Sequence, residues 1–290
     1  MRTATAAVPP ASWRWRFPSK QPALGRGALL QSRILPAHTG DPSRRALQPG
    51  PVSAKVAGVF GRYSLRTTDL DSAREFYLAA LGLALPNGAS SSSSLEAWPL
   101  HERARARGAP PHWLGHILVD DLDSMLDQML QRGSEPLGPT VSSREGIRFA
   151  TLRDPFGAVL ALRQRGDTTL DRPVAWHQLH TLDASGSLEL YTQLFGWAHQ
   201  QTIDGPDAGG YQLFSWGGPG EAVGFVANTA RRAGIHVHWL FHFPVPDIEA
   251  SVARVRALGG TAQQPCTLKG RLQLAACEDP QGAAFGLSQA

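Results

Sequence analysis

At 290 residues the chain is long enough for two domains, each with a core of its own. Its formal charge of +4 is unevenly spread. Residues 1–55 hold nine basic side chains and one acid, so the rest of the chain is mildly acidic, which excludes the clustered basic face that nucleic-acid backbone binding needs.

No apolar run of about 18 residues occurs, so no membrane-spanning helix is expected. Cys266 and Cys277 flank a Lys269-Gly270 turn, and a simple hairpin there sets Cys266 opposite Gln273. Two free thiols and a reducing, cytoplasmic setting follow as expectations. Residues 1–55 are rich in Arg, Pro, Ala and Gly without periodicity, and predict a disordered basic tail outside the fold. The tail has no apolar segment of the secretory kind, and an Arg-rich, acid-poor leader leaves organelle targeting as the alternative.

In chain order, Val59 to Thr67 alternates as a strand does, and Thr68-Asp69 supplies a helix N-cap. Leu70, Ala73, Phe76, Tyr77, Ala80 and Leu81 then fall on one helical face, stopped by Gly82. The stretch from Gly82 to His112 contains a serine run, Ser90 to Ser94, and is short enough to predict a missing or shortened strand. The charges from His101 to Arg107 read as a solvated loop or helix. At His112 begins the pattern H-W-L-x-H-x-x-V-x-D-[LI], and at His238, 126 positions later, it begins again. Each copy leads into a helical apolar pattern, a glycine (Gly133; Gly259) and an Asp-Pro-x-Gly turn (Asp154 to Gly157; Asp279 to Gly282). The first unit is repeated too: Trp176 to Leu182 as strand, Asp183 as cap, Leu188, Tyr191, Leu194 and Phe195 as the apolar face, Gly196 as stop. In the last unit, strands are expected at Gly260 to Pro265, Arg271 to Ala276 and Ala283 to Ser288. Four units in the order A, B, A′, B′ divide the chain into a domain over 56–165, a linker over 166–173 and a domain over 174–290.

A β-α-β-β-β unit in pairs, with a capping Asp eight residues before Tyr, Leu-Gly or Phe-Gly-Trp after the helix and Asp-Pro-x-Gly before the last strand, resembles the vicinal oxygen chelate superfamily. That group holds glyoxalase I, bleomycin-resistance proteins and extradiol dioxygenases. The phrases Tyr191 to Trp197 and Asp279 to Phe285 are similar to tandem glyoxalase-like proteins, and the resemblance covers about residues 57–289. It implies an α+β fold of two glyoxalase-like domains, each of paired β-α-β-β-β units forming a curved, partly closed mixed sheet with helices on the convex side. Metal-dependent members of such a family take a His or Gln from the first strand of each unit and a Glu from the last. The matching positions here are Arg62, Leu114, Trp176 and Leu240, with Ala161 and Gly286 for the Glu. None is an ordinary ligand for a divalent cation, so the expectation is no metal and no cofactor, with a divalent ion as the lesser alternative.

Counting by twos along the strands sends Trp176, Gln178, His180, His238, Leu240 and His242 into the second concave face, and Arg62, Ser64, Arg66, His112, Leu114 and His116 into the first. The favoured expectation is a pocket in the second domain for a small aromatic or oxygen-rich molecule, Trp176 giving stacking area and the amide and imidazoles giving hydrogen bonds. One alternative is a lyase, isomerase or dioxygenase using His180, His238 and His242 as metal ligands or acid/base groups, with His180 and His242 as the catalytic candidates. Another is a non-catalytic scaffold. Arg62 and Arg66 read either as a carboxylate or phosphate anchor or as solvated rim residues. Trp113 and Trp239 point to the opposite, helix-covered face. No nucleophile elbow or dinucleotide loop occurs, and the expected partner is a small molecule, neither nucleic acid nor membrane, with the chain a monomer or homodimer.

Overall fold

The structure is a computed structural model that describes residues 58–88, 93–142, 146–166, 171–218 and 220–290. The basic tail expected over 1–55, much of the serine run and part of the expected linker lie outside the described residues. The first half runs β1 (Val59–Thr67), α1 (Leu70–Leu81), β2 (Leu95–Pro99), α2 (Glu102–Ala106), β3 (His112–Val119), α3 (Leu122–Gln131), β4 (Glu135–Pro136), β5 (Val141–Ser142), β6 (Arg148–Arg153) and β7 (Val159–Gln164). The second runs β8 (Trp176–His180), α4 (Ala184–Phe195), β9 (Ala198–Ile203), β10 (Tyr211–Ser215), β11 (Gly224–Ala227), a 3-10 turn (Asn228–Arg231), β12 (His238–Pro244), α5 (Ile248–Ala257), β13 (Thr261–Ala262), β14 (Cys266–Leu268), β15 (Leu272–Glu278) and β16 (Ala284–Gln289).

The helix boundaries follow their caps. Asp69 accepts from the backbone N–H groups of Asp71 and Ser72, and Asp183 from that of Gly186. Gly82 and Gly196 end α1 and α4 in the left-handed region at φ 70° and 74°, where a Cβ is penalised. The B-type units have no such glycine at the helix end; α3 and α5 close on Arg132 and Leu258, one residue before Gly133 and Gly259.

The first sheet has the order β2-β1-β3-β7-β6-β4, with β5 beside β6; the second has β13-β15-β16-β12-β8-β11-β10-β9, with β14 beside β15. In both, the first strands of the A and B units pair antiparallel at the centre, and the last strand of the B unit joins in parallel. The two differ in one place: β8 is followed outward by β11, β10 and β9, whereas β1 is followed by β2 alone. The shortened unit thus keeps the strand parallel to its first one, and two strands have no counterpart among the described residues.

The last unit departs from expectation around its turn. Lys269 takes φ 53° and the loop contains Arg271 as well, so Leu268 pairs with Leu272 and Cys266 faces Leu274 instead of Gln273. A three-residue loop shifts the register by one. Strand β15 also runs on to Glu278, and Gly260 to Pro265 supplies only the two-residue β13. The cysteines are both free: Cys266 is exposed, and Cys277 is buried opposite Phe285.

One apolar core spans the halves. It unites α1, α3, α4 and α5 with the inner face of each sheet, including Trp113 and Trp239. The halves are joined at equivalent points. Trp113 Nε1–H donates to Tyr77 O–H (2.8 Å), which donates to Asp279 of the other half (3.2 Å); Trp239 Nε1–H donates to Tyr191 (3.3 Å), which donates to Asp154 (2.6 Å). The two aspartates are those of the Asp-Pro-x-Gly turns, and each also accepts from two N–H groups of its own turn. Between them Phe60 stacks on His177 at 5.4 Å, and Gly115 leaves space for Phe60 and Phe241, whose rings a Cβ would strike.

Candidate functional site

On the second sheet, cross-strand register sets Trp176 opposite His242, Gln178 opposite Leu240 and His180 opposite His238. All six expected residues therefore share one face, away from the main core. Trp176 belongs to a separate apolar cluster with Leu213, Phe225, Ala227, Leu268 and Leu274. Leu268 and Leu272 flank the β14–β15 turn and cover this cluster from the hairpin side. The expected hollow is thus lined by side chains already in contact. The Trp176 indole N–H is buried in it without a hydrogen-bond partner, at 7% residue exposure.

A polar ladder runs beside the cluster. His180 stacks on His238 with ring centroids 4.6 Å apart, and its Nδ1 lies 2.5 Å from Thr229 Oγ1. Gln178 Nε2 is 2.9 Å from His180 Nε2, and Gln178 Oε1 is 3.2 Å from His242 Nε2. Burial lowers the His238 and His242 pKa values to about 4 and that of His180 well below its ordinary value. All three are therefore neutral at pH 7. A neutral His242 has one proton for two acceptors, the Gln178 oxygen and the Leu287 carbonyl 3.2 Å from Nδ1. A half-turn of the Gln178 amide resolves the conflict by offering N–H to His242 and oxygen to His180 Nε2–H.

The first sheet builds the same face from charges. Arg62 pairs with His116, Ser64 with Leu114 and Arg66 with His112, while Glu96 of β2 lies beside Ser64. Ser64 Oγ is 2.8 Å from His116 Nε2, and Arg163 Nη1 donates to both Glu96 oxygens at 3.2 and 3.3 Å. Ser64, Glu96 and His116 are fully buried, and Arg62 and Arg163 nearly so. Arg62 donates to the Ser93 carbonyl, and Arg66 lies 5.1 Å over the Trp98 ring. Arg62 is consequently not the solvated rim residue of one expectation, and Arg66 is only partly exposed. Burial, then the cations Arg163, Arg66 and Arg62, hold His116 well below its usual pKa.

The positions that the sequence resemblance implies for metal ligands lie around these histidines: Ala161 neighbours His116, and Gly286 neighbours His242. A Cβ at Gly286 would overlap the His242 ring, so this glycine makes room for the imidazole. No group of three or more His, Cys, Asp or Glu able to hold a metal ion occurs among the described residues. Sequence reasoning missed Glu96, Arg163 and Thr229. Arg163 was within reach, two residues beyond Ala161 on the same strand face; Glu96 sits in a strand whose partner was unknown, and Thr229 in a 3-10 turn with no signal. A cavity of about 210 Å³ opens between the halves instead, where Asp120, Ser124 and Gln128 face Gln193 and Phe195. None of the expected site residues lines it.

Residues 177–288 match the glyoxalase-like domain family. Over 242 residues the chain is 26% identical to CFP32, a proposed glyoxylase of Mycobacterium tuberculosis, with 77% of this chain and 91% of that one covered. It is 32% identical over 130 residues to the anthracycline biosynthesis protein DnrV of Streptomyces peucetius, covering 39% of this chain and 45% of that one. Among solved structures it is similar to the Mn(II)-bound glyoxalase of Novosphingobium aromaticivorans at TM-score 0.53 and 10% identity, covering 81% and 82% of the two chains. With the duplicated units, the paired mixed sheets and the helix-covered inner faces, these likenesses give the chain a fold similar to that of the solved glyoxalase, its residues 177–288 matching the glyoxalase-like domain family.

Proposed function

We propose that this chain binds a small planar aromatic molecule bearing oxygen substituents on the concave face of its second half, without a metal ion. The observation that carries the reading is Trp176: its ring lies in an apolar cluster, and its N–H is buried with no acceptor. A buried donor left unpaired costs about 1–3 kcal/mol, which a ligand oxygen would recover. Gln178 and the neutral imidazoles of His180 and His242 form an adjacent edge that donates or accepts according to the amide's orientation. The ligand displaces the cover at Leu268 and Leu272 as it enters. The partial likeness to an anthracycline biosynthesis protein supports a fused aromatic ligand class.

The donor set does not fit the family's metal. Arg62, Leu114 and Ala161 in one half, and Trp176, Leu240 and Gly286 in the other, supply guanidinium, hydrocarbon, indole and hydrogen where imidazole and carboxylate are needed. Acid/base catalysis by the histidines has less support, because an imidazole titrating near 4 is a weak base at neutral pH.

The test is calorimetric titration and thermal shift with hydroxylated anthraquinones and naphthoquinones. Saturable binding that raises the melting temperature is expected, weakened about tenfold or more in Trp176→Phe, which keeps the ring but removes the N–H donor. Equal affinity in Trp176→Phe refutes the assignment.

A further inference from the structure

We propose that Ser288 is a second anchor of the site on the second half, and that the ligand there carries two hydrogen-bonding oxygens set apart on its fused rings, one met by Trp176 and the other by Ser288. The inference rests on the reading of that face as an aromatic pocket and adds the ligand's second polar end. Ser288 is 3% exposed, and its hydroxyl is buried with no hydrogen-bond partner. Residues alternate along β16: Phe285 and Leu287 enter the main core, and Gln289 accepts from the Ile248 N–H at the start of α5. Gly286 and Ser288 therefore face the concave side, where a Cβ at Gly286 would meet the His242 ring. The cross-strand partner of Ser288, Leu274, belongs to the same apolar cluster as Trp176. An unpaired O–H on β16 thus accompanies the unpaired N–H on β8, two strand spacings or about 10 Å away along the sheet.

The duplicate half shows where this position aims. Arg163 stands on β7 where Ser288 stands on β16, each two residues beyond the one beside the central histidine. Glu96 of β2 and Phe225 of β11 correspond likewise, as neighbours of Ser64 and Gln178. In the first sheet Arg163 crosses β3 and β1 to donate to the Glu96 oxygens at 3.2 and 3.3 Å, so a side chain at this position is directed across the hollow. A serine is too short to make that crossing. In the second sheet the two ends are instead a hydroxyl and the Phe225 ring, which stacks on Tyr211 at 4.4 Å and stands edge-on to Trp176 at 6.3 Å.

What an ion pair spans in one half is left in the other to a molecule with an aromatic body and a polar end. The indole N–H only donates and so takes a carbonyl or phenol oxygen, whereas the Ser288 hydroxyl donates and accepts and can meet either group at the far end. A flat fused-ring molecule satisfies both at once when its oxygens lie on separate rings.

The experiment is isothermal titration with two neutral probes, 2,6-dihydroxynaphthalene and 2-naphthol, which differ by the second oxygen. Wild type is expected to bind the diol about tenfold more tightly than 2-naphthol. Ser288→Ala should erase that preference while binding 2-naphthol within about twofold of wild type, and Trp176→Phe should weaken both. Because the hydroxyl has no partner to lose, the ligand-free Ser288→Ala protein should melt within about 2 °C of wild type. No preference in wild type, or a preference kept in Ser288→Ala, overturns the second anchor, while Trp176-dependent binding in the same titrations leaves the pocket standing. A melting temperature about 5 °C or more lower in ligand-free Ser288→Ala also overturns it, because the hydroxyl would then serve the fold. Binding of neither probe, or equal affinity in Trp176→Phe, overturns the pocket and the part of Ser288 in it together.

Discussion

Single residues decide what each concave face can do, and Gly286 is the sharpest case. Its missing Cβ is the space that the His242 imidazole fills. Gly286→Ala should destabilise the protein by about 1–3 kcal/mol through overpacking and push His242 off Gln178, a change read by denaturant titration. Trp176→Phe should behave in the opposite sense. It removes a buried N–H that nothing accepts, so ligand-free stability should stay within about 1 kcal/mol of wild type while ligand-dependent stabilisation falls. A loss of 3 kcal/mol or more in the free protein would show that the indole is chiefly structural. The identity of these face residues was legible in the sequence, because strand alternation is fixed at two residues. What they touch was not, since Glu96 and Thr229 reach the face from elements whose placement depends on the fold of the whole half.

At the level of elements, the local signals were the strongest. Asp69 and Gly82 bound α1, and Asp183 and Gly196 bound α4, because cap chemistry acts within a few residues. Asp183→Ala should therefore cost about 1 kcal/mol in unfolding free energy, with little effect on either concave face. Less visible was the turn at Lys269. Nothing local separates a two-residue loop from a three-residue one when the residue at φ 53° is a lysine, and the register of β14 slipped by one as a result. The hairpin also has a bearing on entry to the second face. Leu268→Ala removes part of the cover without altering the central strands, so it should cost roughly 2 kcal/mol and quicken ligand association in stopped-flow measurements.

Over the whole molecule, buried histidines tie folding to pH. His112, His238 and His242 have pKa values lowered to about 4, and His177 to about 3, mainly by burial, while His116 and His180 shift the same way. The unfolded chain takes up these protons near 6.5 and the folded chain does not. Stability is thus complete above that value and is lost as pH falls from about 6.5 toward 4, each histidine contributing up to about 1.4 kcal/mol per pH unit. Acid unfolding followed by circular dichroism should be steep and centred above pH 4, and a midpoint near pH 3 would contradict this. The pairing of the halves sets a second whole-molecule expectation: Tyr191→Phe strands Asp154 and the Trp239 N–H together and should cost about 1–3 kcal/mol, as should Tyr77→Phe at the equivalent point. Because each turn carboxylate is capped by a phenol from across the seam, neither half is finished alone. A half expressed by itself should therefore be steadied by any sister copy that lends the absent hydroxyl, whereas carrying both on one thread makes that encounter independent of concentration.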